Sequence, residues 1–192
     1  MEIVRAKTGS GLAVTGLVLG VSAAGVAGAK EWLSPEIRAF RPQADTYVSE
    51  AQPERNFGLL HALRADSSPV TTVYLRFRLK LSGKITGVTL LLHAQAGART
   101  SYQVRRVQQT AWRETRLTYA NAPRLSLRYA SSKPVRRAAW SAVDVTPFVD
   151  VDTQRVSLAI TTKSSLGVVF SSRESDQGPR LVVRTDGQEP ES

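Results

Sequence analysis

The side chains with the most chemistry to offer stand at every second position. In residues 72–80 (TVYLRFRLK), Tyr74, Arg76, Arg78 and Lys80 alternate with Val73, Leu75, Phe77 and Leu79. An extended chain sends these two sets to opposite faces. Guanidinium forks match the planar geometry of carboxylate and sulfate, and an ammonium adds a point charge. An outward row of Arg76, Arg78 and Lys80 with Tyr74 as a stacking platform therefore predicts binding of an acidic polysaccharide, a polyuronate or a sulfated glycan. A sheet face charged for solubility alone fits the same residues. Arg105 or Arg106, Arg124, Arg128, Arg136 and Arg137 extend the row or build another. Trp112 and Tyr119 are further ligand candidates, since flat aromatic faces suit the C–H groups of pyranosides. Their competing use is packing of an irregular loop against the edge of the domain.

The carboxylates point another way. A glycosidase or lyase needs a paired acid and base, and Asp45, Glu114, Asp144 and Glu174 are the plausible set. All four fall near expected strand ends or loops, where a carboxylate caps backbone N–H groups or pairs with Arg76 or Arg173. Together with Asn56, Asn121 and Arg173 they read as a structural polar network, and the chain reads as no enzyme. No cofactor is expected. A calcium ion held by carboxylates and backbone carbonyls is the sharper alternative, although no contiguous Asp-rich loop supports it. Cysteine is absent, and only His61 and His93 offer imidazole. Disulfides, thiolate metal sites and a cysteine nucleophile are thereby excluded, and little is left for a zinc site or a Ser-His-Asp arrangement.

The formal charge of +10 over 192 residues is spread through the body of the chain. Folding does not require such an excess, so it bears either on solubility or on polyanionic partners. Residues 1–29 open with Arg5 and Lys7, continue through an uncharged run at 11–29 and end in Ala27-Gly28-Ala29. This is the layout of a secretory signal peptide. A retained membrane tether through residues 11–29 is the other reading, because the run is nearly long enough to span a bilayer and carries Gly16-x-x-x-Gly20. Both place the body outside the cell, secreted or at a surface. Nucleic acid is not expected as a partner, because no recognition motif is present. Residues 30–42, with Pro35 and Pro42, are expected to be a linker, residues 43–185 a domain and residues 186–192 a flexible tail.

Beyond residue 30 the hydrophobic period is two almost everywhere. Strands are expected at 45–49, 61–65, 72–80, 88–93, 101–107, 142–145, 156–162, 168–171 and 180–184, and no segment keeps a 3.6-residue period for three turns. Many short strands without helical crossovers predict an all-β fold, an antiparallel β-sandwich or jelly roll.

Four blocks in order also carry a resemblance. Ala44-Asp45-Thr46-Tyr47-Val48 leads to Asn56-Phe57-Gly58 and Tyr74-Leu75-Arg76-Phe77. Next come Trp112-Arg113-Glu114 and Leu117-Thr118-Tyr119-Ala120-Asn121-Ala122-Pro123, then Asp144-Val145-Thr146, and finally Ser172-Arg173-Glu174 with Pro179-Arg180-Leu181. This series resembles the DNRLRE domain superfamily, which includes carbohydrate-binding modules of alginate-degrading systems. The resemblance implies a jelly-roll sandwich without catalytic activity, of the kind found in bacterial secreted and surface proteins and often appended to an enzyme. No catalytic domain accompanies it in these 192 residues. A glycan-binding module acting in trans is therefore expected. The alternative is a structural or decorating subunit of a cell-surface, envelope or virion assembly, docked to protein partners.

Overall fold

A computed structural model describes residues 35–81, 83–97, 99–150 and 153–186. The expected signal or anchor at 1–29 lies outside the described residues, as do residues 187–192 of the expected tail. Among the described residues eleven strands follow one another: β1 (Glu36–Phe40), β2 (Ala44–Ser49), β3 (Ala62–Ser67), β4 (Val70–Arg78), β5 (Ile85–Gly97), β6 (Gln103–Val107), β7 (Leu125–Ser131), β8 (Ala139–Asp144), β9 (Arg155–Thr161), β10 (Val168–Ser171) and β11 (Arg180–Thr185). One turn of 3-10 helix, Thr146–Phe148, lies between β8 and β9.

Every pairing between strands is antiparallel. One half of the sheet runs β2-β4-β9-β6-β7. In the other half the long strand β5 is flanked by β8 on one side and by β11 and β10 on the other, with β1 beyond β11 and β3 beyond β10. The tight β3–β4 hairpin, with Asp66 opposite Thr71, links the halves. The inward rows are those the alternation demands. Val73, Leu75 and Phe77 of β4 lie beside Val156, Leu158 and Ile160 of β9, and across from them are Val88, Leu90 and Leu92 of β5 and Leu181 and Val183 of β11. Each such side chain contributes roughly 1.5–3 kcal/mol through burial, so the two apolar rows fix which face of each strand turns inward. The result is the antiparallel jelly-roll β-sandwich expected from the sequence.

The expected linker differs from what forms. Glu36–Phe40 is an edge strand on β11, with Phe40 packed against the core. Pro35 and Pro42 exclude a helix, but they stand just outside the strand, where they remove no ladder hydrogen bond. β7 was not foreseen either. It is an edge strand whose side chains are mostly exposed, Leu127 at 92%, so alternation carries no burial signal there.

The outward row on β4 needs a larger correction. Tyr74 is only 3% exposed. Residues 108–124 fold back across the outer surface of β2, β4, β9 and β6 and close a second apolar cluster there, made of Ala44, Val48, Tyr74, Val107, Trp112, Leu117 and Ala159. The Tyr74 hydroxyl donates to the Pro123 carbonyl (3.2 Å), and its ring meets that of Trp112 edge-on at 6.2 Å. The Trp112 indole N–H donates to the Ser157 hydroxyl (3.1 Å). The Arg76 guanidinium lies over the Trp112 ring, 5.1 Å from its centroid, and donates to the Trp112 carbonyl. Tyr74 and Trp112 are therefore buried in packing, and the half-buried Arg76 is engaged with Trp112. Tyr119 is half-buried at the margin of the same cluster.

Trp112→Ala should cost about 3–5 kcal/mol, read as a lowered midpoint in urea unfolding. A loss below about 1 kcal/mol would show that the overlay adds little to stability.

Candidate functional site

Two loops meet over the start of β2. Glu114, in the 108–124 overlay, accepts from the Arg173 guanidinium through both oxygens, 2.9 Å each, and its Oε1 also accepts from the Asp45 N–H (2.8 Å). Arg173 also contacts Glu174 at 3.0 Å. The Arg173 N–H donates to Asp45 Oδ2 at 2.7 Å, and the Ser172 hydroxyl donates to Glu174 at 2.7 Å. Asn56 anchors a fourth segment. Its amide donates to the carbonyls of Glu114 and Leu117, both at 2.7 Å, and its oxygen accepts from the Gly58 N–H. A Cβ on Gly58 would stand 2.4 Å from the Glu114 carbonyl oxygen, so only glycine permits this approach. Asn121 closes the overlay on itself, accepting from the Thr118 N–H and donating to the Arg116 carbonyl. Asp144 lies elsewhere and accepts from the N–H and hydroxyl of Thr146, the first residue of the 3-10 turn. Of the seven residues assigned to one polar network, Asp45, Asn56, Glu114, Arg173 and Glu174 are brought together, while Asn121 and Asp144 each act locally.

Asp45, Glu114 and Glu174 each offer an oxygen within 4.8 Å of the others, which is the arrangement a calcium ion would need. The residues do not fit one. The Arg173 guanidinium already lies among these carboxylates, holding both oxygens of Glu114 and one of Glu174, and a second cation would face it directly. Added calcium should leave the melting temperature unchanged, and a rise of several degrees would overturn that reading.

Asp45 is 1% exposed, and its Oδ1 has no hydrogen-bond partner. Burial pushes its pKa from 3.8 to about 7, the Arg173 N–H opposes the rise, and the charges of Glu174 and Glu114 add to it. The folded protein therefore holds a proton here that the unfolded chain has released. Between about pH 4 and pH 7 this group makes stability fall as pH rises. Asp144, held below its ordinary value by the Thr146 hydroxyl and N–H, acts only below that window. So does Asp66, where the cost of burial is outweighed by the Arg64 guanidinium and the Ser68 N–H. Asp45→Asn should flatten the decline in melting temperature between pH 5 and pH 8. An equally steep decline in the variant would remove Asp45 as its cause.

The open end of β4 is different in kind. Beyond the overlay, Arg78 and Lys80 are exposed and line an open cleft of about 630 Å3 together with Phe40, Thr153 and Gln154. Arg155 of β9 stands directly opposite Arg78 in register and is also exposed. Its charge, after burial itself, is what lowers the pKa of Arg76. Arg78, Lys80 and Arg155 have no carboxylate partner among the described residues. Like charges directly opposite in a sheet destabilise it by up to about 1 kcal/mol, and a bound anion relieves that cost. The sequence reading missed Arg155, because Ser157 and Ala159 follow it on the same face and no basic row is visible on β9. It also missed Trp140, which lies just before the strand expected at 142–145 but belongs to β8, where the residue is 44% exposed.

No curated protein shows significant similarity to the chain. Among solved structures it is similar to the CBM22-1–GH10 modules of the N-terminal endo-1,4-β-D-xylanase 10B of Clostridium thermocellum, complexed with xylohexaose. The identity is 7% and the TM-score 0.38, covering 80% of this chain and 29% of that one. A family model described as carbohydrate-binding module family 96 matches residues 36–185, from the first residue of β1 to the last of β11. The chain belongs to carbohydrate-binding module family 96.

Proposed function

We propose that this module binds an acidic polysaccharide, a polyuronate or a sulfated glycan, in the cleft at the end of β4 and does not cleave it. Membership of a carbohydrate-binding family supports the polymer class. The observation that carries the acidic character is the unneutralised Arg78–Arg155 pair facing solvent beside Lys80. Two guanidinium forks side by side offer bidentate sites to successive carboxylates or sulfates along a strand, and the half-buried Phe40 supplies an apolar floor for a sugar ring. The absence of cleavage is supported by the carboxylates of the loop cluster. Glu114 and Glu174 are held by Arg173, and Asp45 is sealed from solvent, so none is free to serve as an exposed acid–base pair. The charge and the layout of residues 1–29 further support action outside the cell, secreted or at a surface.

Affinity electrophoresis in alginate or heparin gels tests this reading. Arg78→Ala combined with Arg155→Ala should weaken retention at least tenfold, about 1.4 kcal/mol, with the melting temperature kept or raised. Retention of the parent protein should also fall steeply with added salt. Equal retention of parent and variant, or equal retention of both in neutral xylan and in alginate, would refute the acidic reading.

A further inference from the structure

We infer a second glycan site on the opposite half of the sandwich, centred on Trp140, that takes one pyranose ring carrying a carboxylate or sulfate. This site stands apart from the β4 cleft, and of the proposed function it relies only on glycan binding, which the chain's membership of a carbohydrate-binding family supports.

Trp140 of β8 faces outward opposite His93 of β5. Indoles left half in water on a sheet face lose the stabilisation that burial would give, and this one is held at a fixed angle. The His93 ring meets it edge-on at 5.4 Å and 65°, and the Arg180 guanidinium lies over one face of it, 5.4 Å from the centroid, so that a sugar would stack on the face turned away from Arg180. His93 is itself buried and placed by Ser171, whose hydroxyl is 3.3 Å from Nδ1 and also accepts from the Gln95 amide at 3.1 Å. Four side chains from β5, β10 and β11 thus pre-order one exposed ring, which lowers the entropy cost of stacking a sugar on it. The same indole lines an open hollow of about 340 Å3 whose rim carries Lys133 and Arg136. Both are exposed and have no carboxylate partner among the described residues. A flat apolar platform beside two free cations fits the faces of a charged pyranose: its C–H groups on the indole, and its carboxylate or sulfate on Lys133 and Arg136.

Calorimetric titration of the full chain with a uronate hexasaccharide, and in a separate arm with a sulfated hexasaccharide, tests the inference. Two ligands should bind per parent chain in at least one arm, and that arm identifies the anion. Trp140→Ala should reduce the stoichiometry to one without changing the melting temperature by more than a few degrees, and Lys133→Ala combined with Arg136→Ala should do the same. If Arg78→Ala with Arg155→Ala removes all binding while Trp140→Ala changes nothing, the second site does not exist and the β4 cleft stands. If Trp140→Ala removes all binding and the arginine double variant changes nothing, the Trp140 site stands and the cleft reading fails.

Discussion

The bidentate pairing of Glu114 with Arg173 is the contact on which the working surface depends. Glu114 belongs to the overlay that covers β4, Arg173 to the loop after β10, and Asp45, which both of them touch, to the start of β2. One planar ion pair therefore joins three segments that are remote in sequence. Because the pair is only partly exposed, loss of one partner would leave a poorly solvated charge behind, and such losses exceed those of surface ion pairs. Asn56 repeats the tactic with neutral groups, bridging two carbonyls of the overlay from a third loop.

This clamp decides which arginines are free. Held in place, the overlay packs its own Trp112 against Tyr74 and Arg76, burying the tyrosine and leaving Arg76 half-buried, and stops short of Arg78 and Arg155. One alternating strand thus serves two purposes along its length. Its first part supports a second apolar layer, and its last part offers cations to solvent. An arginine laid over an indole and bonded to a carbonyl is a packing element with a charge. Another arginine two residues on faces its own kind across the ladder and is open to solvent.

Much of the fold was legible because a period of two with bulky inward residues allows one arrangement per strand. Val73, Leu75 and Phe77 could face only one way, and the same holds for Val156, Leu158 and Ile160. The site was less legible, for a physical reason. Alternation tells which residues share a face but not whether that face meets water, and a loop such as 108–124, with no period of its own, decides this for Tyr74 and Arg76. Spacing along one strand was likewise blind to Arg155, whose significance comes from its cross-strand neighbour, and to Trp140, whose setting is assembled from three other strands. Asp45 could be recognised as important from its surrounding residues, whereas its neutral form depends on burial that only the folded chain reveals.

The pairing of β1 with β11 has a mechanical consequence. Glu36 and Thr185 lie directly opposite each other, so chain entry and chain exit are separated by only about 5 Å. Such a module can be spliced into a loop of a larger polypeptide without spreading the host. Tension applied between these two points would peel β1 away one rung at a time instead of shearing all its hydrogen bonds together. The edge would then yield at modest force, while the two layers and the charged cleft stay assembled.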